Sequence, residues 1–264
     1  MRVRIIFGLK NKGSYVPFHH QFLIQEFVQP YIERYESSVG KTVDNFNFSA
    51  LKGQTRVGKD GLHFYSSKVT LVFSSIDEAL IEHVIKGIFS QEEVAIGKLE
   101  LNPMNVDMEN VPVLTNETKF ICLSPLSIVH PSDGGIDAKR FVSPTLDEFS
   151  DYLFESTMMR MEKAGYTQDQ LAAFFKFQLV PDAEYLGKIK NEEKKFARIF
   201  PIFFEGQKAE VRGYTFPFTL YADAEVQKFV FNAGIGVLCE RGFGMLDIAN
   251  ADPNQRVTAY EIKK

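Results

Sequence analysis

The sequence predicts an α+β fold that consists of two successive βαββαβ units. Alternating apolar residues at 2–9 indicate an opening strand, and apolar residues from Leu23 to Tyr35 recur every three or four positions, as on an amphipathic helix. A similar succession of strand and helix patterns returns in the second half of the chain, from residue 119 onwards. We therefore expect two sheets, each with its own helices.

The first half of the chain contains one complete unit. Pro30 lies inside the first helical pattern, where it predicts a kink or the start of a new segment. The later elements are strands at 45–52 and 61–74, a helix at 76–89 and a strand at 94–101. Together they give βαββαβ over roughly 1–115, which is the order of a ferredoxin-like domain.

The second half has the same order with additions. Its elements are a buried strand at 119–126, helices at 145–163 and 167–177, strands at 194–205 and 210–221, a helix at 224–231 and a strand at 245–248. The two middle strands predict a long hairpin around Glu205-Gly206-Gln207. We divide the chain into domains 1–115 and 116–250 and a polar tail, 251–264, that is expected to be frayed.

The composition is that of a globular protein, with 45% hydrophobic and 24% charged residues. No apolar run is long enough to predict a membrane helix, and the amino terminus has the pattern of a short strand, not that of a signal peptide. The two cysteines, Cys122 and Cys239, are far apart in the sequence, which fits a reducing cytoplasm and gives no metal-ligand spacing. We expect a cytoplasmic protein without a metal or another cofactor.

The charge distribution leaves room for a polyanionic partner. The net charge of −4 argues mildly against nucleic acid, but basic residues are concentrated in three places: before Glu26, in 41–68 and in 185–198. The last segment contains four basic residues of interest: Lys190, Lys194, Lys195 and Arg198. Contact with phosphates and a solvated charged surface are the two interpretations of this run.

A glycine-rich stretch near the carboxyl end, 234–244, contains four of the chain's 18 glycines. Glycine is selected where φ is positive or where the backbone approaches a ligand closely, and bared N–H groups can hold phosphate oxygens. A flexible turn is the alternative. The stretch does not fit a dinucleotide fingerprint, because Cys239 takes the place of the third glycine, and it has no lysine for a Walker loop.

The pattern Gly-x-Gly-x5-Gly-Phe-Gly at 234–244, followed by an apolar strand, resembles the glycine-rich loop of the RAMP superfamily of CRISPR-associated proteins. It is most similar to the repeat-cleaving endoribonuclease family, the sixth Cas protein. Val16-Pro17-x-x-His20-Gln21-x-x-x-Gln25 and Leu123-Ser124-Pro125 also match that family. The resemblance implies tandem ferredoxin-like (RRM-like) domains with a cleft between them. It also implies RNA contacts at the loop, for which we single out Gly234, Gly236, Arg241, Gly242 and Gly244.

The resemblance also implies metal-free RNA cleavage by a histidine in or near the first helix, aided by a tyrosine and a lysine. The product would carry a 2′,3′-cyclic phosphate. The family's tyrosine position falls on Gln29 and its later histidine position on about Ser49, whereas Lys52 keeps its place. The catalytic candidates are His20, then His19, with Lys52 and Tyr31, because imidazole is suited to proton transfer near neutral pH. A histidine at a helix start can also serve only as a cap.

Three functions stay open at this point. The chain is an endoribonuclease that processes CRISPR repeat RNA, a degenerate relative that binds the repeat without cutting it, or a RAMP-type subunit of an effector complex. The departure at Ser49 favours the second. The implied partners are pre-crRNA and a CRISPR effector complex, with no membrane, and the protein is expected to be a monomer or a homodimer.

Overall fold

A computed structural model describes residues 1–130, 141–204 and 207–262. The elements of the first half are β1 (Arg2–Leu9), β2 (Tyr15–Val16), α1 (Gln21–Val39), β3 (Phe46–Phe48), β4 (Thr55–Val57), β5 (Leu62–Phe64), β6 (Lys68–Ser75), α2 (Glu78–Phe89), β7 (Val94–Ile96) and β8 (Leu99–Glu109).

The elements of the second half begin with β9 (Glu117–Cys122), α3 (Glu148–Lys163), α4 (Gln168–Ala173), β10 (Phe177–Pro181) and α5 (Ala183–Asn191). They continue with β11 (Ala197–Phe204), β12 (Gln207–Tyr214), β13 (Phe218–Ala222), α6 (Ala224–Ala233), β14 (Leu246–Ile248) and β15 (Val257–Ala259). Short 3-10 turns lie at Cys239–Arg241 and Pro253–Arg256.

The first antiparallel sheet has the central strand order β8-β1-β6-β3, which is the order of a ferredoxin-like domain. Alternation along β1 explains its two faces: Val3, Ile5 and Phe7 are fully buried in the same apolar core as residues of α1 and α2. Arg2 and Arg4 point to the opposite face, which meets the second half of the chain through β14 and α6.

The second sheet repeats this topology, with the order β14-β9-β13-β10. The strands β11 and β12 form a separate two-stranded sheet, which is inserted between β10 and β13, and Tyr214 at the end of β12 makes a single bridge to Leu126. The predicted α+β class with two ferredoxin-like units is therefore confirmed. The boundary near residue 115 stays a proposal.

Several elements differ from the sequence prediction. The predicted strand 61–74 is two strands, because β5 joins β2 and β4 in a small separate sheet while β6 joins the main one. The predicted strand 210–221 likewise divides into β12 and β13. Pro30 does not break α1: it lies on the exposed side of a helix that continues for 19 residues. The predicted turn at 205–206 lies outside the described residues.

The tail returns to the first sheet, so the expectation of a frayed tail is wrong for its middle part. Strand β15 pairs antiparallel with the end of β8. Tyr260 and Ile262 then pack against the core of the first unit. Within the described residues, no helix is long and apolar enough to cross a membrane.

Candidate nucleic-acid interface and active site

The start of α1 meets the β11–β12 hairpin and the glycine-rich loop at one junction. The His19 ring lies against Phe200 with 4.4 Å between ring centroids, and Phe22 lies against Phe203 at 5.6 Å. From the loop, Arg241 donates a hydrogen bond from Nη1 to the Phe203 carbonyl at 2.9 Å. Both sequence halves therefore contribute side chains to this region.

His19 is half-buried at this junction. Burial lowers the pKa of its imidazole, and the positive charge of nearby Arg198 lowers it further. The ring is consequently neutral near pH 7 and able to accept a proton. Arg198 itself is exposed, so the same charge is available to an anion from solvent.

His20, the first candidate from the sequence, is only 2% exposed. Its Nδ1 donates to the Pro17 carbonyl at 3.1 Å, and its Nε2 accepts from the Leu51 amide at 3.2 Å. Burial lowers the pKa of this imidazole to about 4. Because both ring nitrogens are used inside the protein, the structure favours a structural role for His20 over its choice as the leading catalytic group.

Tyr31 is a core residue, and its burial favours a packing role over its selection as a catalytic candidate. It is 5% exposed, and its ring lies so close to Gly87 that an added Cβ there would approach it to 2.4 Å. Its hydroxyl accepts a hydrogen bond from Gln91 Nε2 at 2.9 Å. Tyr31 therefore fixes the packing of α1 on α2.

Lys52 directly follows Leu51, whose amide contacts His20. Its backbone pairs with Thr70 of β6, and burial lowers the pKa of its ammonium group, with Asp247 opposing this shift. In the described part of the chain, no hydrogen bond or ion pair joins Lys52 to His19 or His20. The structure thus does not assemble the histidine–lysine pair expected from the sequence.

The glycine-rich loop is a buried packing element, so the expected phosphate seat is not formed by its glycine amides. Its four glycines have positive φ, and an added Cβ would clash with Asn47, Ser127, Phe48 or Ile235. Three of these glycines donate their N–H groups inside the chain: Gly234 to Val230, Gly242 to Cys239 and Gly244 to Pro125. At Gly236, the fourth glycine, an added Cβ would lie 2.3 Å from the Ser127 carbonyl oxygen.

The loop holds the two units together. Asn47 of β3 donates from Nδ2 to the Phe243 carbonyl at 2.7 Å. Gly242 is required because the Phe48 ring lies where its side chain would be, at 2.2 Å from an ideal Cβ. Arg241, expected to contact RNA, instead binds the hairpin carbonyl and lies 3.8 Å from Glu240. The positive φ and the close contacts of these glycines account for their presence through packing, and RNA contact at the loop stays a prediction.

A surface cavity of about 720 Å³ lies at the base of the hairpin. Lys194, Lys195 and Arg198 line it, together with Lys188 of α5 and the Phe196 ring. Glu192 also lines it and pairs with Lys194. Lys190 is exposed on α5 nearby in the chain but does not line this cavity. We name this basic-lined cavity the basic groove; the charge of Arg198, one of its lining residues, also lowers the pKa of His19 at the junction.

A buried ion cluster joins the first sheet, β14 and the tail, and sequence reasoning did not find it. Arg2 Nε lies 2.7 Å from Glu109 Oε2, and both side chains are fully buried. Arg256 Nη2 lies 3.2 Å from Glu109 Oε1 and 2.6 Å from Asp247 Oδ1. Arg4 also reaches Glu109 at 3.2 Å. The cluster depends on the pairing of β1 with β8, which places Val3 opposite Met108 and which the sequence pattern does not predict.

Comparison with known proteins agrees with this architecture. Residues 108–248, just over half of the chain, match the family described as CRISPR associated protein Cas6, C-terminal. The chain is 21% identical over 263 residues to CRISPR-associated endoribonuclease Cas6 1 of Methanocaldococcus jannaschii, covering 97% of this chain and 95% of the relative.

Solved structures have the same fold. The product of a Cas6-related gene from Pyrococcus furiosus has a TM-score of 0.74 at 18% identity, covering 96% of this chain and 99% of that one. A RAMP protein that binds different RNA substrates has a TM-score of 0.76 at 18% identity, covering 95% of this chain and all of that one. With the family match over its second half, the chain belongs to the Cas6 family of CRISPR-associated proteins.

Proposed function

We propose that this protein is an endoribonuclease that binds CRISPR repeat RNA and cleaves it to guide RNAs. Membership in the Cas6 family supports the proposal, as does similarity along nearly the whole chain to a relative named as an endoribonuclease. The proposal depends most on His19. Its half-buried ring lies at the junction of α1 and the hairpin, where the charge of Arg198 lowers its pKa.

In the proposed reaction, His19 takes the proton from a ribose 2′-hydroxyl while that oxygen attacks the adjacent phosphorus. The bond between phosphorus and the 5′-oxygen breaks, that oxygen takes a proton from solvent water and leaves as a hydroxyl, and the product keeps a 2′,3′-cyclic phosphate. A positioned base of this kind contributes ~10²–10⁴-fold to the rate. Arg198 is suited to stabilising the charge on the phosphorus oxygens, and no metal ion takes part in this scheme.

The basic groove is the proposed path of the RNA backbone. Lys195 and Arg198 line it, are exposed and have no ion pair to a carboxylate in the described part of the chain. Lysine and arginine contacts to phosphate give affinity that depends on salt and does not read sequence. We propose Lys194 and Lys190 as further contacts, and an effector complex as the recipient of the product.

Binding without cleavage is the second candidate, and Ser49 favours it. Ser49 stands where the family has a histidine, is fully buried, and donates from its hydroxyl to the Ala50 carbonyl at 2.7 Å. It therefore provides no substitute for that histidine. Under this candidate, the groove holds the repeat while another protein cuts it.

One experiment separates the two candidates. The purified protein is incubated with its cognate repeat RNA in EDTA, and binding and cleavage are measured on the same samples. Cleavage at one position, with a cyclic phosphate on the product, supports the endoribonuclease. Tight binding without product supports the second candidate, and neither binding nor cleavage contradicts both.

A further inference from the structure

We propose that the outer face of the small sheet formed by β2, β5 and β4 is a second RNA site, which stacks unpaired bases of single-stranded RNA. The inference rests on the proposed function, since it assumes that the chain handles RNA. It assigns a ligand to a surface that is separate from the basic groove on the hairpin. The register, exposure and charge of this sheet support the proposal.

The register places aromatic and basic side chains on one face. Tyr15 pairs with His63, and His63 pairs with Arg56 on its other side, so the three form one row across the sheet. Tyr65 follows His63 by two residues and therefore points to the same side. The opposite face contains Phe64, which is fully buried in the first apolar core. Strands β2 and β5 thus bury Val16 and Phe64 on the inner face, and the outer face of the sheet carries aromatic and basic residues.

The rings of the outer face are already paired with cations. The Arg56 guanidinium lies 4.9 Å from the centroid of the Tyr65 ring, and Tyr65 is 44% exposed. Lys98 Nζ lies 4.4 Å from the centroid of the Tyr15 ring. The centroids of the Tyr15 and His63 rings are 5.1 Å apart. Bases of single-stranded RNA stack on aromatic rings and on arginine planes, while neighbouring cations hold phosphates. We name this set of five residues the aromatic platform.

The charge around the aromatic platform favours a polyanion. Residues 55–68 contain Arg56, Lys59 and Lys68 and one acidic residue, Asp60, whereas Glu93 and Glu100 lie close in sequence to Lys98, and Glu93 is paired with Lys10. In addition, Lys12 is exposed on the turn that leads into β2. An uncharged or positively charged partner would gain nothing from this excess, whereas RNA would.

The platform is continuous with the proposed cleavage site. Strand β2 ends at Val16, and the chain then reaches His19 at the start of α1. His19 is the fourth residue after Tyr15, so the two lie at most about 14 Å apart even in a fully extended chain. An RNA strand bound at His19 therefore reaches the platform within a few nucleotides, and those nucleotides are held as unpaired bases.

The test uses a labelled, unstructured oligouridine RNA and fluorescence anisotropy. Loss of one stacking ring lowers affinity about 5- to 150-fold, so Tyr65→Ala should weaken binding at least fivefold. Tyr65→Phe keeps the ring and should bind within about twofold of the unmodified protein. Tyr221→Ala is the matched control, because Tyr221 is similarly exposed, at 39%, on the other sheet.

The outcomes separate this proposal from the proposed function. Cleavage of repeat RNA by the unmodified protein, together with weaker oligouridine binding in Tyr65→Ala, supports both. The same cleavage with unchanged oligouridine binding in Tyr65→Ala and Arg56→Ala overturns the aromatic platform alone. Equal losses in Tyr65→Ala and Tyr65→Phe also overturn it, since stacking would not be the cause. If the unmodified protein binds neither RNA, both proposals fail.

Discussion

The His19 and Phe200 rings meet edge to face, with an interplanar angle of 61°, and this contact connects the start of the first helix to a hairpin of the second unit. His20, the next residue, points into the core instead. One of two adjacent histidines is thus placed at a surface junction with a basic residue, while the other supports the backbone. The proposed chemistry depends on this division of roles.

His20→Gln should destabilise the fold without directly removing a catalytic group. The substitution disturbs hydrogen bonds to Pro17 and Leu51 in a buried site, which should cost ~1–3 kcal/mol in the free energy of unfolding. Urea unfolding followed by circular dichroism measures the change. His130→Gln is the control, because His130 is exposed and its substitution should have little effect.

The same residue predicts a pH dependence of stability. The folded pKa of His20, about 4, lies below its ordinary value, so the unfolded chain binds more protons between these two values. The contribution of His20 to the free energy of unfolding is fully present above about pH 6.5 and is lost as the pH falls towards 4. The expected loss between pH 7 and pH 5 is ~2 kcal/mol. His20→Gln should flatten this decline. An equal decline in both proteins would contradict the assignment.

Gly242→Ala should loosen the packing between the two units. An added Cβ would lie 2.2 Å from the Phe48 ring, and Gly242 has φ +79°. The expected loss in the free energy of unfolding is about 2–4 kcal/mol, from overpacking and backbone strain together. Gly40 has a similar left-handed backbone but no atom within 4 Å of its Cβ position, so Gly40→Ala reports strain alone. Equal losses in both variants would argue against close packing as the reason for Gly242.

Glu109→Gln should be strongly destabilising. Glu109 is fully buried and accepts contacts from Arg2, Arg4 and Arg256, so its neutralisation leaves buried positive charge uncompensated. Breaking such a cluster costs ~3–5 kcal/mol, measured by urea unfolding. Glu184→Gln removes an exposed helical ion pair and should change little. A small effect of Glu109→Gln would show that the cluster does not hold the tail and sheets together.

The double variant Lys195→Ala/Arg198→Ala should weaken repeat-RNA binding and reduce its salt dependence. Each lost contact to a single-stranded phosphate lowers the slope of log affinity against log salt by ~0.7, or roughly 1.4 for the pair. Anisotropy titrations at several salt concentrations give this slope. Lys41→Ala, which removes an exposed lysine outside the groove, should leave it unchanged. An unaltered slope in the double variant would exclude the groove as the path of the backbone.

Sequence patterns predicted the long, strongly periodic elements. The helices α1, α2 and α6 and the strand β1 combine regular apolar spacing with burial on one side, and that combination is visible in a single sequence. The strand β10 and the helix α5 were missed because they are short: α5 has no buried residue, and β10 buries only Leu179. Their positions depend on pairing with β13 and on the inserted hairpin.

The site was harder to predict because close packing and ligand binding select the same residues in the sequence. Glycines that avoid a clash, as Gly242 does with Phe48, are indistinguishable in sequence from glycines that admit a ligand. Likewise, adjacent histidines have equal local chemistry until packing buries His20 and leaves His19 half-exposed. Both distinctions require the contact between the two units, which no local pattern contains.

The single-turnover cleavage rate of His19→Ala tests the claim that His19 is the catalytic base of a repeat-RNA endoribonuclease. With saturating protein in EDTA, we expect the rate to fall ~10²–10⁴-fold while the Kd for repeat RNA changes little. In the unmodified protein, the rate should rise with pH to an inflection below about 6.5, because burial and Arg198 lower the pKa of His19. A cleavage rate in His19→Ala equal to that of the unmodified protein would contradict the claim.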